Sequence, residues 1–411
     1  MKRLVERAAH LPFMRGMSHN GRVVLFTEPF WAIPFNMIIV YATLYMQALG
    51  LSDRQIGLTQ TLLVTTQILS SLFSGVLTDK FGRKRTTIFF DMISWAVACL
   101  VWSFSKSLTG FIIAAFLNGL NKVVQVSFSC MMTEDADSSQ RLRNYSGLHF
   151  MVLCCGFFAP LGGLLINRLG LIDGTRLLYF WSAIVMAIMF IVRNWGWNEP
   201  AQHPEQQKGQ TLKGFLKALR FFLASTESRI IFLLQGINQF FKVFKPLFYF
   251  VYLSKNAGLK SSSLSLVPMF SSLMMMVILL LVLPRIKTSM RGWTLSLGFL
   301  LGSLSLGMLI ASPRLGFAVL WASVLLDAFS LALIRPLLDS LWADHLEDKN
   351  RARQLSAGHF FFGLFAVPAG SLAAELYTRS PGLPFAAAGL LLLAAFLLSV
   401  KLNLKAGKQN E

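Results

Sequence analysis

Apolar residues run along this chain in long stretches, and polar residues gather in short knots between them. A helix needs about twenty apolar residues to cross the hydrocarbon of a bilayer. Twelve stretches reach that length, at 24–49, 55–78, 86–105, 108–131, 145–167 and 176–197, then 229–253, 262–284, 292–311, 315–340, 355–377 and 383–402. They are numbered here as spans 1 to 12. The connections are short except for 198–228, which is polar and then amphipathic, with Lys213, Lys217 and Arg220 on one helix-like face. The pattern predicts an all-α integral membrane protein with twelve transmembrane helices in two pseudo-symmetric six-helix bundles. The bundles are residues 1–197 and 229–411, joined by a central cytoplasmic loop at 198–228.

Composition agrees with a bilayer as solvent. Hydrophobic residues make up 55% of the 411, and charged residues 14%, well below the roughly 25% of a soluble domain. A net charge of +19 would suggest a nucleic-acid partner in a soluble protein. Here Lys and Arg concentrate in alternate loops, as the positive-inside rule requires of a chain with both termini cytoplasmic. The expectation is a multi-pass protein of the plasma (inner) membrane, a monomer, with no nucleic-acid partner. The first twenty residues hold Lys2, Arg3, Arg7 and Arg15 without an apolar core or cleavage site, so no cleaved signal peptide is expected. Cys99, Cys130, Cys154 and Cys155 all lie inside apolar runs and read as small buried side chains. With no Cys-x-x-Cys or His-rich pattern, neither a metal nor a cofactor is expected.

The two halves carry a repeat. "RLRNYSGLHF" (141–150) aligns with "RARQLSAGHF" (351–360) at an offset of 210, pairing Arg141 with Arg351, Arg143 with Arg353, Ser146 with Ser356, His149 with His359 and Phe150 with Phe360. Upstream, Glu134 matches Asp344 and Asp137 matches Glu347 in kind. These segments sit at the entrances of spans 5 and 11, equivalent places in two six-span halves, and duplicated halves are a frequent transporter plan.

Between spans 2 and 3 lies the densest polar knot, "GVLTDKFGRKR" (75–85). Its pattern, Gly75-x-x-x-Asp79-x-x-Gly82-Arg83-Lys84-Arg85, resembles the loop signature of the major facilitator superfamily. The twelve-span plan, the six-plus-six division and the long central loop extend that resemblance over the chain. Gly75 lets the end of span 2 approach a neighbour, and Gly82 lets the chain turn where a side chain would clash. The resemblance implies that Asp79 sits at the positive N-terminal end of span 11 and that Arg83 pairs with a carboxylate at the end of span 4, with Glu134 and Asp135 as candidates. Such a knot is a latch on the cytoplasmic side; the plainer alternative is a basic loop that fixes orientation. The corresponding loop of the second half, "LPRIKTSMRGW" (283–293), lacks the Asp and the paired glycines.

Span 5 carries "GFFAPLGG" (156–163), similar to a Gly- and Pro-rich stretch found among exporters of that superfamily, with Gly156, Pro160, Gly162 and Gly163 at altered spacing. A kinked, closely packed helix explains it equally well. "QGINQFF" (235–241) faintly resembles the seventh span of sugar porters, but the flanking sugar-porter signatures are missing.

Ionisable residues inside a membrane are costly and are functional candidates by default. They are Glu28 in span 1, Asp91 in span 3, Lys122 in span 4, Lys242 and Lys245 in span 7, and Asp327, Arg335 and Asp339 in span 10. The resemblance makes spans 1, 4, 7 and 10 the walls of a central cavity. Asn118, Asn121, Lys122 and Gln125 recur at the spacing of one helical face, as do Gln235, Asn238, Gln239 and Lys242. These stripes read as substrate-facing, with interhelical hydrogen bonding as the alternative. Glu28 and Asp91 are the candidates for proton coupling, Glu28 by pairing alternately with Lys122; Glu28 also reads as a helix-start residue before Pro29. His149 and His359 read as packing or gate residues.

The expected function is secondary active transport of a small polar or anionic organic solute by alternating access, with protons as the coupling ion. A proton-coupled exporter of lipophilic compounds is the alternative within the same class. A membrane enzyme is disfavoured because no catalytic constellation is present, and a non-transporting receptor is the remaining alternative.

Overall fold

The structure, a computed structural model, describes residues 14–200, 212–287, 290–346 and 351–409. Every regular element among them is helical. Ten helices are long and apolar enough to cross a membrane, or eleven when a pair bent by 45°, His19–Ile38 with Ala42–Ala48, counts as one span. The ten are spans 2 to 6 and 8 to 12, and the bent pair is span 1. Span 7 is the helix Thr226–Lys255, thirty residues long, whose amides and lysines keep it out of that count.

The helices outrun the apolar stretches that predict them: span 2 occupies Asp53–Phe81 and span 10 occupies Phe317–His345. Hydrocarbon offers backbone groups no partner outside the helix, so helix continues until a cap takes over. At the start of span 2 the Ser52 hydroxyl accepts from the Gln55 N–H, and the Gln55 side chain accepts from the Ser52 N–H, a reciprocal capping box. Asp137 and Gln140 repeat the device at the head of span 5, Ser138–Cys155. Bonds from the Gln140 N–H and the Ser139 hydroxyl hold the Asp137 carboxyl below the usual carboxylate range.

The described residues form two compact units. The first takes those within Met1–Gln55, Leu62–Gly209 and Ser261–Met269; the second takes those within Ile56–Thr61, Gln210–Lys260 and Phe270–Glu411. The head of span 2 therefore groups with the second half, and the head of span 8 with the first. Close approach of small residues accounts for both. In the second unit a Cβ on Gly57 would stand 2.7 Å from the carbonyl oxygen of Gly370 in span 11. There the hydroxyls of Thr61 and Ser371 meet at 2.9 Å. In the first unit Tyr41 donates to the Ser261 carbonyl at 3.0 Å. A Cβ on Gly163 would meet the Ser262 carbonyl oxygen, and one on Gly162 would press on Met37. Close packing thus accounts for Gly162 and Gly163 of span 5.

The repeat between the halves turns on a position where the two differ. Asn144 is fully buried; its amide donates to the Ser18 hydroxyl at 2.8 Å and to the Met132 carbonyl at 2.9 Å. Its counterpart at the same offset, Gln354, is buried as well, whereas His149 and His359 are exposed. Glu347 and the side chains of Arg351, Arg353 and Ser356 lie outside the described residues, as do 201–211 of the central loop. The rest of that loop is not irregular: Leu212–Ala224 is a helix of the second unit. Its Phe222 is buried, stacked on Phe232 at 5.4 Å and tilted against Trp342 at 5.0 Å. Phe73, Leu280, Leu390 and Leu397 are more than half exposed, the outer face a helix offers to lipid.

Substituting Gly57 with Val forces the backbone of Gly370 to move and lowers stability by about 1–3 kcal/mol. Gly307→Ala meets open space and leaves it unchanged. Thermal unfolding of the two purified variants beside the wild type is the check.

Candidate functional site

The knot between spans 2 and 3 is built by a turn and two clamps. Gly82 ends span 2 and begins the helix Arg83–Asp91 with φ +86 and ψ 160, a left-handed conformation that favours glycine. A helix start exposes unpaired N–H groups and the positive end of its dipole. Glu199, just beyond the end of span 6, supplies the counterpart: its Oε1 accepts from the Arg83 N–H at 2.6 Å and its Oε2 from the Lys84 N–H at 3.1 Å. Lys84 Nζ in turn donates to the Trp197 carbonyl at 3.0 Å. The second clamp is a fork from the buried Arg83 guanidinium to the Glu134 carboxylate, Nε to Oε2 at 3.1 Å and Nη2 to Oε1 at 3.3 Å. Asp79 lies 3.6 Å from Arg83 with its side chain 42% exposed; Asp135 and Arg85 are exposed, and Gly75 is half-buried. Of the two carboxylates proposed for Arg83, Glu134 is the one that meets it.

Deeper in the first unit, Glu28 occupies the joint between two helices of span 1, His19–Thr27 and Pro29–Ile38. Its partner here is Arg193 of span 6, at 2.7 Å, and not Lys122. Arg193 is 3% exposed, donates also to the Thr27 hydroxyl at 2.8 Å, and lies over the rings of Trp197 and Phe128 at 5.5 and 6.0 Å. Asp91 ends the helix Arg83–Asp91, directly before a wide π-turn at Met92–Val97. It is buried, and its charged neighbours are Arg193 and Glu28. Lys122 bonds Gln125 on its own helix at 3.2 Å. Asn118 donates to the Ser94 carbonyl at 2.6 Å, inside the π-turn, and Asn121 accepts from Gln67 at 3.4 Å. In this structure those two amides join helices.

In the second unit the buried Lys245 of span 7 donates to Asp327 of span 10, with Tyr249 beneath its ammonium at 4.6 Å. Arg335 is exposed, with Asp327 and Asp339 as charged neighbours. Gln235 donates to Asp339 and to the Leu338 carbonyl, each at 3.3 Å. Asn238 is buried, Gln239 half-buried and Lys242 exposed.

Two residues of this arrangement escape the sequence reading. Arg193 falls near the end of span 6 and reads as a loop cation, yet Met186, Met189, Phe190 and Arg193 are all buried and recur at the spacing of one helical face. That periodicity marks it. Glu199 carries no local signal, since its partner lies more than a hundred positions away.

Fold and site agree with the chain's likeness to known proteins. The sequence model of the Major Facilitator Superfamily matches residues 30–291. The chain belongs to that family. Among solved structures it is similar to the human organic anion transporter MFSD10 (TETRAN), 16% identical over 93% of this chain and 99% of that one, with a TM-score of 0.67. The peptide transporter POT in complex with alafosfalin is 15% identical over 99% and 98%, with a TM-score of 0.72. The nucleoside transporter NupG is 11% identical over 93% and 98%, with a TM-score of 0.69. At these identities the likeness is one of fold. No curated protein matches the chain in sequence.

Breaking a buried ion pair from one side strands the other charge, at a cost of about 3–5 kcal/mol. Glu134→Gln is expected to lower stability on that scale, and Asp135→Asn, at an exposed site, by at most about 1 kcal/mol. Chemical or thermal unfolding of the two variants decides.

Proposed function

We propose that this protein is a secondary active transporter that moves a small polar or anionic organic solute by alternating access, driven by protons. The observation that carries the reading is buried charge inside the spans of a superfamily member: Lys245 with Asp327 in the second unit and Glu28 with Arg193 in the first. Such pairs add little stability, because apolar residues of the same volume stabilise as well or better. A transporter uses them, since a pair that can open offers one member to a solute and the other to a proton. Lys245, Lys242 and Arg335 are the cations for an anionic solute, and Asp327 takes the proton when Lys245 turns to the solute. Organic anions, short peptides and nucleosides are the classes to test, because transporters of the same fold carry those descriptions.

The knot at 75–85 acts, in this reading, as the cytoplasmic latch. Arg83, held chiefly by Glu134, keeps the turn rigid, and Asp79, its more exposed partner, is the group that exchanges contacts during the cycle. The acidic Glu199 holds the same turn from span 6.

Uptake into proteoliposomes, with and without an imposed pH gradient, tests the class. Flux of at least one compound from a panel of organic anions, peptides and nucleosides is expected to rise with the gradient. Folded protein that moves none of them, nor any lipophilic cation or dye, would overturn the reading. Asp79→Asn is expected to cut turnover about tenfold, a loss of roughly 1.4 kcal/mol at the barrier, with expression unchanged. Lys242→Ala is expected to raise the KM for an anionic substrate; a silent variant would return span 7 to a packing role.

A further inference from the structure

The first unit buries two carboxylates around one guanidinium. Glu28 and Arg193 are bonded at 2.7 Å. Among the described residues no hydrogen bond or ion pair closes on Asp91, although it is buried and has both of them as charged neighbours. With both acids ionised the buried cluster would carry an uncompensated negative charge, which is costly. One bound proton removes it. The bond that exists separates the two acids: Glu28 accepts from the Arg193 guanidinium, and Asp91 has no such partner among the described residues. The surrounding elements add no competitor for Asp91. Span 4 packs on the same helix through the Thr87 and Ser127 hydroxyls, 2.7 Å apart, and its titratable Lys122 and Cys130 are not among the charged neighbours of Asp91. Cys155 of span 5 neighbours Glu28.

The same helix carries the knot. Arg83–Asp91 is nine residues long: Glu199, just beyond span 6, accepts from the N–H groups of Arg83 and Lys84 at its start, and Arg193 of span 6 is a charged neighbour of Asp91 at its end. The π-turn that follows gives the segment a joint about which to move.

We propose that Asp91, Arg193 and Glu28 form one proton-binding site, with the proton on Asp91, and that the end of span 6 transmits its occupancy to the knot at Asp79–Arg85. This rests on the proton-coupled reading for its role in transport but not for its existence. When the Asp91 O–H releases its proton to water, both oxygens become acceptors and Arg193 is shared between two carboxylates. Its bond to Glu28 at the joint of span 1 weakens. Because Arg193 lies in the last turn of the helix Leu171–Gly196 and Glu199 follows just beyond it, the cap on Arg83 and Lys84 shifts with it.

Infrared difference spectra of the protein in nanodiscs, recorded between acid and alkaline pH, read the proton directly. A protonated-carboxyl band is expected in the wild type, absent in Asp91→Asn, present in Glu28→Gln and restored in Asp91→Glu. A band that survives Asp91→Asn and disappears in Glu28→Gln would overturn the assignment, as would spectra in which neither substitution changes the band. The link to the knot is read by maleimide labelling of Arg85→Cys in a background whose four native cysteines are alanine. Labelling is expected to change with pH and to lose that dependence when Asp91→Asn is added; pH-dependent labelling that persists would sever the link. Proton-driven flux that survives Asp91→Asn would refute the site and leave the transport reading standing. A wild-type band that obeys the pattern, in protein without proton-driven flux, would keep the site and remove its coupling role.

Discussion

A charge that enters hydrocarbon has to bring its counter-charge with it, and the interior of this protein is organised around that requirement. Arg193 has Glu28, Lys245 has Asp327, and Arg83 has Glu134. Each pair joins residues far apart in sequence and so fixes which helices are neighbours: span 6 against span 1, span 7 against span 10, and span 3 against span 4. Apolar contact alone selects neighbours weakly in a bilayer, because lipid tails are as apolar as leucine. Small residues and paired charges supply the selectivity instead.

The cost of those pairs is what makes them informative. Desolvating two ions offsets most of their attraction, so a buried pair is a poor way to add stability. Here the pairs of Glu28 with Arg193 and Lys245 with Asp327 fall inside membrane helices, and the first stands at a break in one. Glu28 stands at the Thr27–Pro29 joint, and Asp91 precedes the π-turn of span 3. The knot at 75–85 lies at the other end of the segment that Asp91 terminates, which gives the polar turn and the buried acid a shared mechanical frame.

Much of the fold was legible in the chain because a bilayer simplifies the code: length and apolarity suffice to place helices. The ends were less legible, since Ser52 and Gly82, not the last apolar residue, decide where span 2 begins and stops. Span 7 was visible as a run of apolar residues but carries enough amide and lysine to fall short of a clean span. In the site, the glycines and acid of the knot were readable as a local motif, and the resemblance it carries offered Glu134 and Asp135 to Arg83, of which the structure selects Glu134. Arg193 and Glu199 were not, because their meaning lies in partners 165 and 116 residues away. Asn118 and Asn121 show the reverse: a regular polar stripe that, in this structure, joins spans 2, 3 and 4.

The central claim is that the buried charges serve transport and not stability, and one double variant separates the two. Lys245→Met with Asp327→Leu removes both partners of the span 7–span 10 pair and strands neither. Its thermal midpoint in detergent should equal or exceed that of the wild type. Its proteoliposomes should fail to take up the solute that wild-type protein moves. Uptake at the wild-type rate by that variant would contradict the account.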